Sequence, residues 1–64
     1  MTPAQLNEFL NRHAMSAGQL ATVIGVTPMA INHWLFGRRS VSLTVARLLR
    51  TFDKYPGLIK EFGV

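Results

Sequence analysis

The amino-acid sequence predicts an all-α fold, a compact bundle of about five short helices. Apolar residues recur three and four positions apart along most of the chain, and no segment of alternating apolar and polar residues is bounded by hairpin turns. A Ser or Thr that suits a helix N-cap also stands before most of these apolar segments. With 64 residues, the chain has the length of one domain, which we expect to span residues 1–64.

Start and stop signals delimit the first two helices. Thr2 is a suitable N-cap, and Pro3 is suited to the first helical position. The side chain of Gln5 can accept a hydrogen bond from the backbone of Thr2, which completes a capping box. Helix 1 should therefore run from Pro3 to about residue 13. Ser16 is the expected cap of helix 2. Gly25 should end that helix, because glycine tolerates the left-handed conformation found at helix ends.

A third helix should begin almost at once, because Thr27 and Pro28 repeat the cap-then-proline pattern. Two short helices joined by a turn of about three residues that contains glycine are typical of a helix-turn-helix, here over about residues 17–36.

The remaining apolar residues predict helices 4 and 5 within about residues 43–62, which should supply core and a dimerisation surface. Helix 4 should follow Ser42, or Ser40, and run to about Lys54; Pro56 should open helix 5.

Several residues in this region together resemble the Cro and phage lambda repressor type of helix-turn-helix domain, the XRE family. They are Leu20-Ala21, Gly25-Val26-Thr27, Ile31, Trp34, Gly37 and Ser42-Leu43, and the likeness extends from Leu6 to about Phe52. The resemblance implies a five-helix DNA-binding domain, commonly dimeric, whose third helix enters the major groove of an operator. Such domains usually repress transcription.

The helical period divides helix 3 into two faces. Ile31, Trp34 and Leu35 share the inner face, which gives Trp34 a packing role. The outer face carries Pro28, Met29, Asn32, His33 and Phe36. Asn32 can form paired hydrogen bonds with adenine, and His33 can donate to guanine or to a phosphate. Met29 and Pro28 can contact a thymine methyl. These four residues are the predicted base contacts. The sequence leaves two roles open for Phe36, which are contact with a DNA sugar and packing against a dimer partner.

A second group is predicted to contact the DNA backbone. Arg38 and Arg39 follow helix 3 and are placed for phosphates, which set register without specifying sequence. The resemblance to the XRE family adds residues at the start of helix 4, because the family places that segment against the phosphate backbone. The full set is Thr27, Gln19, Arg38, Arg39, Ser42 and Thr44.

The sequence departs from the family pattern at three places. The family often has Gln at the position of Ala17, so a backbone contact is lost or moves to Gln19. It often has Gly at the position of Ala14. It often pairs Arg with Glu where this chain has Leu10 and Leu35, and because apolar groups replace buried ion pairs well, we predict that these leucines touch.

Composition limits the other function classes. Seven Lys or Arg against three Asp or Glu give a net charge of +4, which suits a polyanion. The chain has no cysteine, its histidines lie far apart, and its apolar runs are too short to cross a bilayer. We therefore expect no metal, no cofactor, no small-molecule ligand and no membrane association. The resemblance to the XRE family implies a cytoplasmic protein of bacterial or phage origin.

The leading hypothesis is a homodimeric repressor or autorepressor that binds an inverted-repeat operator in double-stranded DNA. The predicted dimer interface is Leu49, Phe52, Leu58, Ile59 and Phe62. The alternative is a protein-interaction module, an antitoxin or adaptor with the same fold. An enzyme is not expected, because the acidic residues are dispersed and no nucleophile and base are paired.

Overall fold

The computed structural model describes residues 1–62, and within that range the chain is helical with short connecting turns and no strand. The elements are α1 (Pro3–Arg12), α2 (Ala17–Ile24), α3 (Pro28–Leu35), α4 (Leu43–Lys54) and α5 (Leu58–Phe62). The predicted five-helix, all-α fold is confirmed. Gly63 and Val64, the last two residues of the predicted domain, lie outside the described residues.

Hydroxyl side chains begin the first four helices, as predicted. Thr2 and Ser16 each form a complete capping box with a glutamine three residues later. Thr27 and Ser42 each accept a backbone hydrogen bond from the third helical residue, at 3.2 Å. The helix starts therefore follow from local chemistry.

The prediction that Pro56 opens the last helix is wrong by two residues. The backbone N–H of Leu58 donates to the carbonyl of Tyr55 at 3.0 Å, so residues 55–58 form a turn with Pro56 and Gly57 in its central positions. Proline at the first central position favours a turn, because its ring presets the φ angle that this position needs. α5 begins only after this turn.

The core lies where α1, α2 and α3 pack together and are closed by α4. Its buried members are Leu6, Phe9, Leu10, Leu20, Ala21, Ile31, Leu49 and Phe52. Trp34 is partly buried against this cluster, which confirms its packing role. α3 is therefore held by its inner face, and its outer face is left to solvent.

Leu10 and Leu35 both belong to this apolar packing. Leu10 is a buried core residue, and Leu35 packs against the core cluster. No polar or charged side chain is buried anywhere in residues 1–62, so the helices need no internal ion pair at their junction. Direct contact between the two leucines stays a prediction.

α1 ends in a left-handed turn although no glycine is present. Ala14 has a φ of 51°, its N–H donates to Asn11, and the N–H of Met15 donates to the carbonyl of Leu10 at 2.9 Å. These are the two bonds of a Schellman motif, which usually requires glycine at this position. Ala14 therefore adopts the conformation that the family's glycine would provide.

Candidate nucleic-acid interface

The turn between α2 and α3 fixes the position of the third helix. Gly25 has a φ of 76° and a ψ of 33°, and its N–H donates to the carbonyl of Ala21 at 2.9 Å. Val26 donates to the same carbonyl at 3.0 Å. The chain reverses tightly, so α3 begins three residues after Gly25 with Thr27 as its cap.

The outer face of α3 is open. Pro28, Met29 and Asn32 are exposed, and His33 is half-buried. Neither Asn32 nor His33 forms a side-chain hydrogen bond with any residue from 1 to 62, so their polar atoms remain available. An amide and an imidazole of this kind match the donors and acceptors of base edges in the major groove.

A second Schellman motif closes α3 and fixes the arginine loop beside it. Gly37 has a φ of 73°, and its N–H donates to Trp34 at 3.3 Å. The N–H groups of Arg38 and Arg39 both donate to the carbonyl of His33, at 2.9 and 3.3 Å. The backbone of both arginines is thereby tied to the residue that the sequence places among the base contacts.

The two arginine side chains are exposed and carry uncompensated charge. Neither forms an ion pair within the part of the chain that the structure describes, where the carboxylate of Asp53 holds Arg12 and His13 instead. Exposed guanidinium groups beside an open polar helix face suit a phosphate backbone.

Gln19, a predicted backbone contact, also works as a capping residue. Its Oε1 accepts the N–H of Ser16 at 2.8 Å, and Ser16 Oγ accepts the N–H of Gln19 at 3.1 Å. Because the carbonyl end of the amide is fixed, the Nε2 group remains the end that can donate to a phosphate. The structure thus fixes the orientation of this side chain at the start of α2.

Thr27, Ser42 and Thr44 are exposed at the starts of α3 and α4. Thr27 Oγ1 and Ser42 Oγ accept hydrogen bonds within their own helices, so each hydroxyl proton remains free to donate. The N-termini of α3 and α4 also present the positive end of a helix dipole. Contact of these three residues with a phosphate stays a prediction.

The predicted dimer interface needs a correction. Leu49 and Phe52 are 0% exposed, so their side chains pack within the monomer and have no surface to offer a second copy. Leu58 and Ile59 are partly buried against the core. Of the predicted set, Phe62 is the residue with substantial exposure, 49%, and its ring packs edge-on against Phe52 at 5.2 Å.

The periodicity of helix 4 explains the error. Leu49 and Phe52 recur at helical spacing as predicted, but this apolar side of α4 faces the core, whereas Tyr55 at the end of α4 is 54% exposed. Tyr55 was not part of the predicted dimer interface. Its exposure could not be read from the helical period, because it lies at the C-cap of α4.

An ion-pair cluster joins the C-terminal ends of α1 and α4. Asp53 Oδ2 accepts from Arg12 Nη2 at 2.9 Å, and Asp53 Oδ1 lies 2.8 Å from His13 Nε2. The His13 ring also packs on Phe9, with centroids 4.4 Å apart. Sequence reasoning did not find this cluster, because nothing near His13 indicates a partner 40 residues away.

The pKa of the Asp53 carboxyl is lowered from its usual value of 3.8. Burial raises this pKa, but the hydrogen bonds from His13 and Arg12, together with their positive charges, outweigh the effect of burial. Asp53 therefore stays ionised to lower pH in the folded protein than in the unfolded chain.

A family model described as Helix-turn-helix matches residues 6–56, which include all of α2, α3 and α4. The chain belongs to the helix-turn-helix family of the Cro and phage lambda repressor type. No curated protein matches the sequence. None of the helices within residues 1–62 is long and apolar enough to cross a membrane.

Family membership supports DNA binding and a role in transcription regulation for this helix-turn-helix protein. The family is generally non-enzymatic. The matched segment includes the Gly25 turn, α3 and the arginine loop, so the family assignment and the open outer face concern the same part of the molecule.

Proposed function

We propose that this helix-turn-helix protein is a homodimeric repressor that binds an inverted-repeat operator through the major groove. The observation that carries the proposal is the outer face of α3, where exposed Met29 and Asn32 and half-buried His33 lie beside an arginine loop anchored to His33. Base-edge chemistry and phosphate chemistry thus occur side by side on one open helix.

The proposal divides the site into two tasks. Pro28, Met29, Asn32 and His33 contact base edges and determine sequence preference. A second set positions the protein through phosphates and adds affinity that depends on salt, namely Thr27, Gln19, Arg38, Arg39, Ser42 and Thr44.

The dimer is proposed to form through the surface at the end of α4 and along α5. Tyr55 and Phe62 supply its exposed aromatic groups, and the half-buried Leu58 and Ile59 supply its centre. A protomer measuring 30 × 21 × 20 Å suits one half-site of an operator whose half-sites lie about 34 to 36 Å apart. Sedimentation that shows a monomer at high concentration would remove the dimer from the proposal.

Selection of bound duplexes from a random DNA pool, followed by titration at several salt concentrations, tests the proposed function. We expect an inverted-repeat sequence whose affinity exceeds that of unrelated DNA by at least about a thousandfold. Equal affinity for all sequences would contradict the repressor assignment, and absence of DNA binding would contradict the whole proposal.

The second candidate is a protein-interaction module, an antitoxin or adaptor. It is favoured by the exposed large apolar residues, which include Met29, Phe36 and Leu43 at 66%, 75% and 66% exposure. Two of these lie on α3 or at its end, among polar residues suited to base edges, which favours DNA over a protein partner. A protein ligand that competes with DNA for α3 would reverse this preference.

A further inference from the structure

Phe36 is the most exposed large apolar side chain within residues 1–62, at 75%. It is the C-cap of α3, and its N–H donates to the carbonyl of Asn32 at 2.9 Å, so residue 36 continues the helical spiral. Exposing an aromatic ring to this extent is unfavourable in water, and Phe36 does not pack against the core cluster. Its ring is therefore available to a partner.

Phe36 continues the line of predicted base contacts. It follows Met29 by seven residues, Asn32 by four and His33 by three, and these are the spacings that share one face of a helix. The order along this face is apolar, polar, polar, apolar. A ligand that lies along Met29, Asn32 and His33 consequently reaches Phe36 as well.

The residues around Phe36 favour a polyanion over a second copy of this chain. Gly37 directs the backbone into Arg38 and Arg39, whose charges are unpaired among the described residues. A two-fold contact centred on Phe36 would bring these arginines close to their counterparts on the other protomer. That like-charge approach is unfavourable, whereas a DNA backbone would neutralise the same charges.

Among base edges in the major groove, the apolar feature is the 5-methyl group of thymine. We propose that Phe36 contacts a thymine methyl and thereby favours thymine at one operator position. This inference rests on the proposed function and adds a base preference to it. Because 5-methylcytosine carries a methyl at the same place, it should satisfy this contact too.

The two apolar side chains should contact different methyl groups. Seven residues correspond to about 10.5 Å along a helix axis, well beyond the roughly 3.4 Å between stacked base pairs. If Met29 contacts one methyl, Phe36 should contact another on a different base pair farther along the groove. The inference therefore concerns one identifiable thymine near one end of each half-site.

A double-mutant cycle between protein and DNA tests the inference. The probe is the duplex selected by the wild-type protein, with each thymine replaced in turn by uracil, which lacks only the methyl group. For the wild type, uracil at the Phe36 position should weaken binding about three- to fourfold. Phe36→Ala should weaken binding to the unmodified duplex and lose this sensitivity at that thymine alone.

Met29→Ala is the matched control, because Met29 lies on the same face at 66% exposure. It should lose sensitivity to uracil at a different thymine from the one that Phe36 contacts. Both variants should keep the wild-type melting temperature, since neither side chain is in the core.

Three results would overturn the inference without touching the proposed function. In the first, Phe36→Ala binds the operator as tightly as the wild type. In the second, replacing thymine by uracil weakens binding of Phe36→Ala at every position as much as it does for the wild type, as expected for a sugar contact. In the third, Phe36→Ala changes only self-association. If the wild-type protein selects no sequence, the proposed function fails as well, and that outcome is distinct from the other three.

Discussion

Ala14 is the one non-glycine residue of the described chain with a positive φ, 51°. The left-handed region costs a residue with a Cβ about 1 to 2 kcal/mol, and glycine removes that cost at some loss of chain entropy. Ala14→Gly should therefore raise the free energy of unfolding by about 0.5 to 1 kcal/mol.

Urea denaturation measures this change, with Ala4→Gly as the control. Ala4 is exposed within the right-handed α1 helix, where glycine should destabilise by about 0.5 to 1 kcal/mol. A decrease in stability for Ala14→Gly would show that the alanine turn is not strained.

Asp53 should contribute stability that depends on pH. Because its pKa is lower in the folded protein than the usual 3.8, the unfolded chain binds more protons in this range. The contribution is fully present above about pH 4 and is lost as the pH falls through the folded-state pKa.

Asp53→Asn should flatten the acid limb of a plot of unfolding free energy against pH between about 2 and 5. Glu61→Gln serves as the control, because Glu61 is exposed and forms no ion pair within residues 1–62. An unchanged acid limb in Asp53→Asn would mean that its hydrogen bonds to Arg12 and His13 do not persist in solution.

At the scale of the elements, two left-handed glycines place α3 and the loop after it. Gly25 ends α2, and Gly37 ends the turn that follows α3. A Cβ at Gly25 meets nothing within 4 Å, and one at Gly37 meets only Pro3 Cγ at 3.8 Å. The cost of alanine at either place is therefore backbone strain and not steric overlap.

Gly25→Ala and Gly37→Ala should each lower the free energy of unfolding by about 1 to 2 kcal/mol. Gly37→Ala should also weaken binding to DNA more than Gly25→Ala does at equal folded fraction, because it disturbs the bonds that anchor Arg38 and Arg39 to His33.

Chemical denaturation and DNA titration of both variants provide the comparison. Gly18→Ala is the opposing control, since Gly18 lies in α2 with right-handed geometry and its Cβ would meet only Ser16 Oγ at 3.9 Å. It should be neutral or stabilising by up to about 0.5 kcal/mol. Similar losses in all three variants would contradict the role assigned to the left-handed turns.

The helix starts and the Gly25 turn could be predicted from the sequence because they depend on neighbouring residues. Thr2, Ser16, Thr27 and Ser42 bond to backbone groups only three positions away. The Asp53 cluster could not be predicted, since it joins residues 40 and 41 positions apart. Local chemistry thus determines the elements, and their packing determines the long-range ion pairs.

At the scale of the whole molecule, the sequence has to divide the apolar residues between the core and the exposed surface. Helical period correctly placed Ile31 in the core and Asn32 outside it. The helical period also identifies the apolar side of α4, but it does not show what that side packs against. By sequence, Leu49 and Phe52 fit a core and a dimer interface equally well. Only the packed structure assigns them to the core.

The central claim is that α3 specifies sequence while the arginine loop supplies affinity for any DNA. Asn32 and Arg38 are both exposed and lie outside the core, so alanine at either position should preserve the fold. Their effects on binding should nevertheless differ in kind, since a base contact and a phosphate contact respond differently to sequence and salt.

Titration of the selected operator and its single-base variants at several salt concentrations, for Asn32→Ala and Arg38→Ala, tests this claim most directly. Asn32→Ala should cost about 1 to 3 kcal/mol and relax specificity at one base pair, with an unchanged salt slope. Arg38→Ala should weaken binding to every duplex and reduce the salt slope by about 1. Identical effects of the two substitutions on specificity and salt slope would contradict the account.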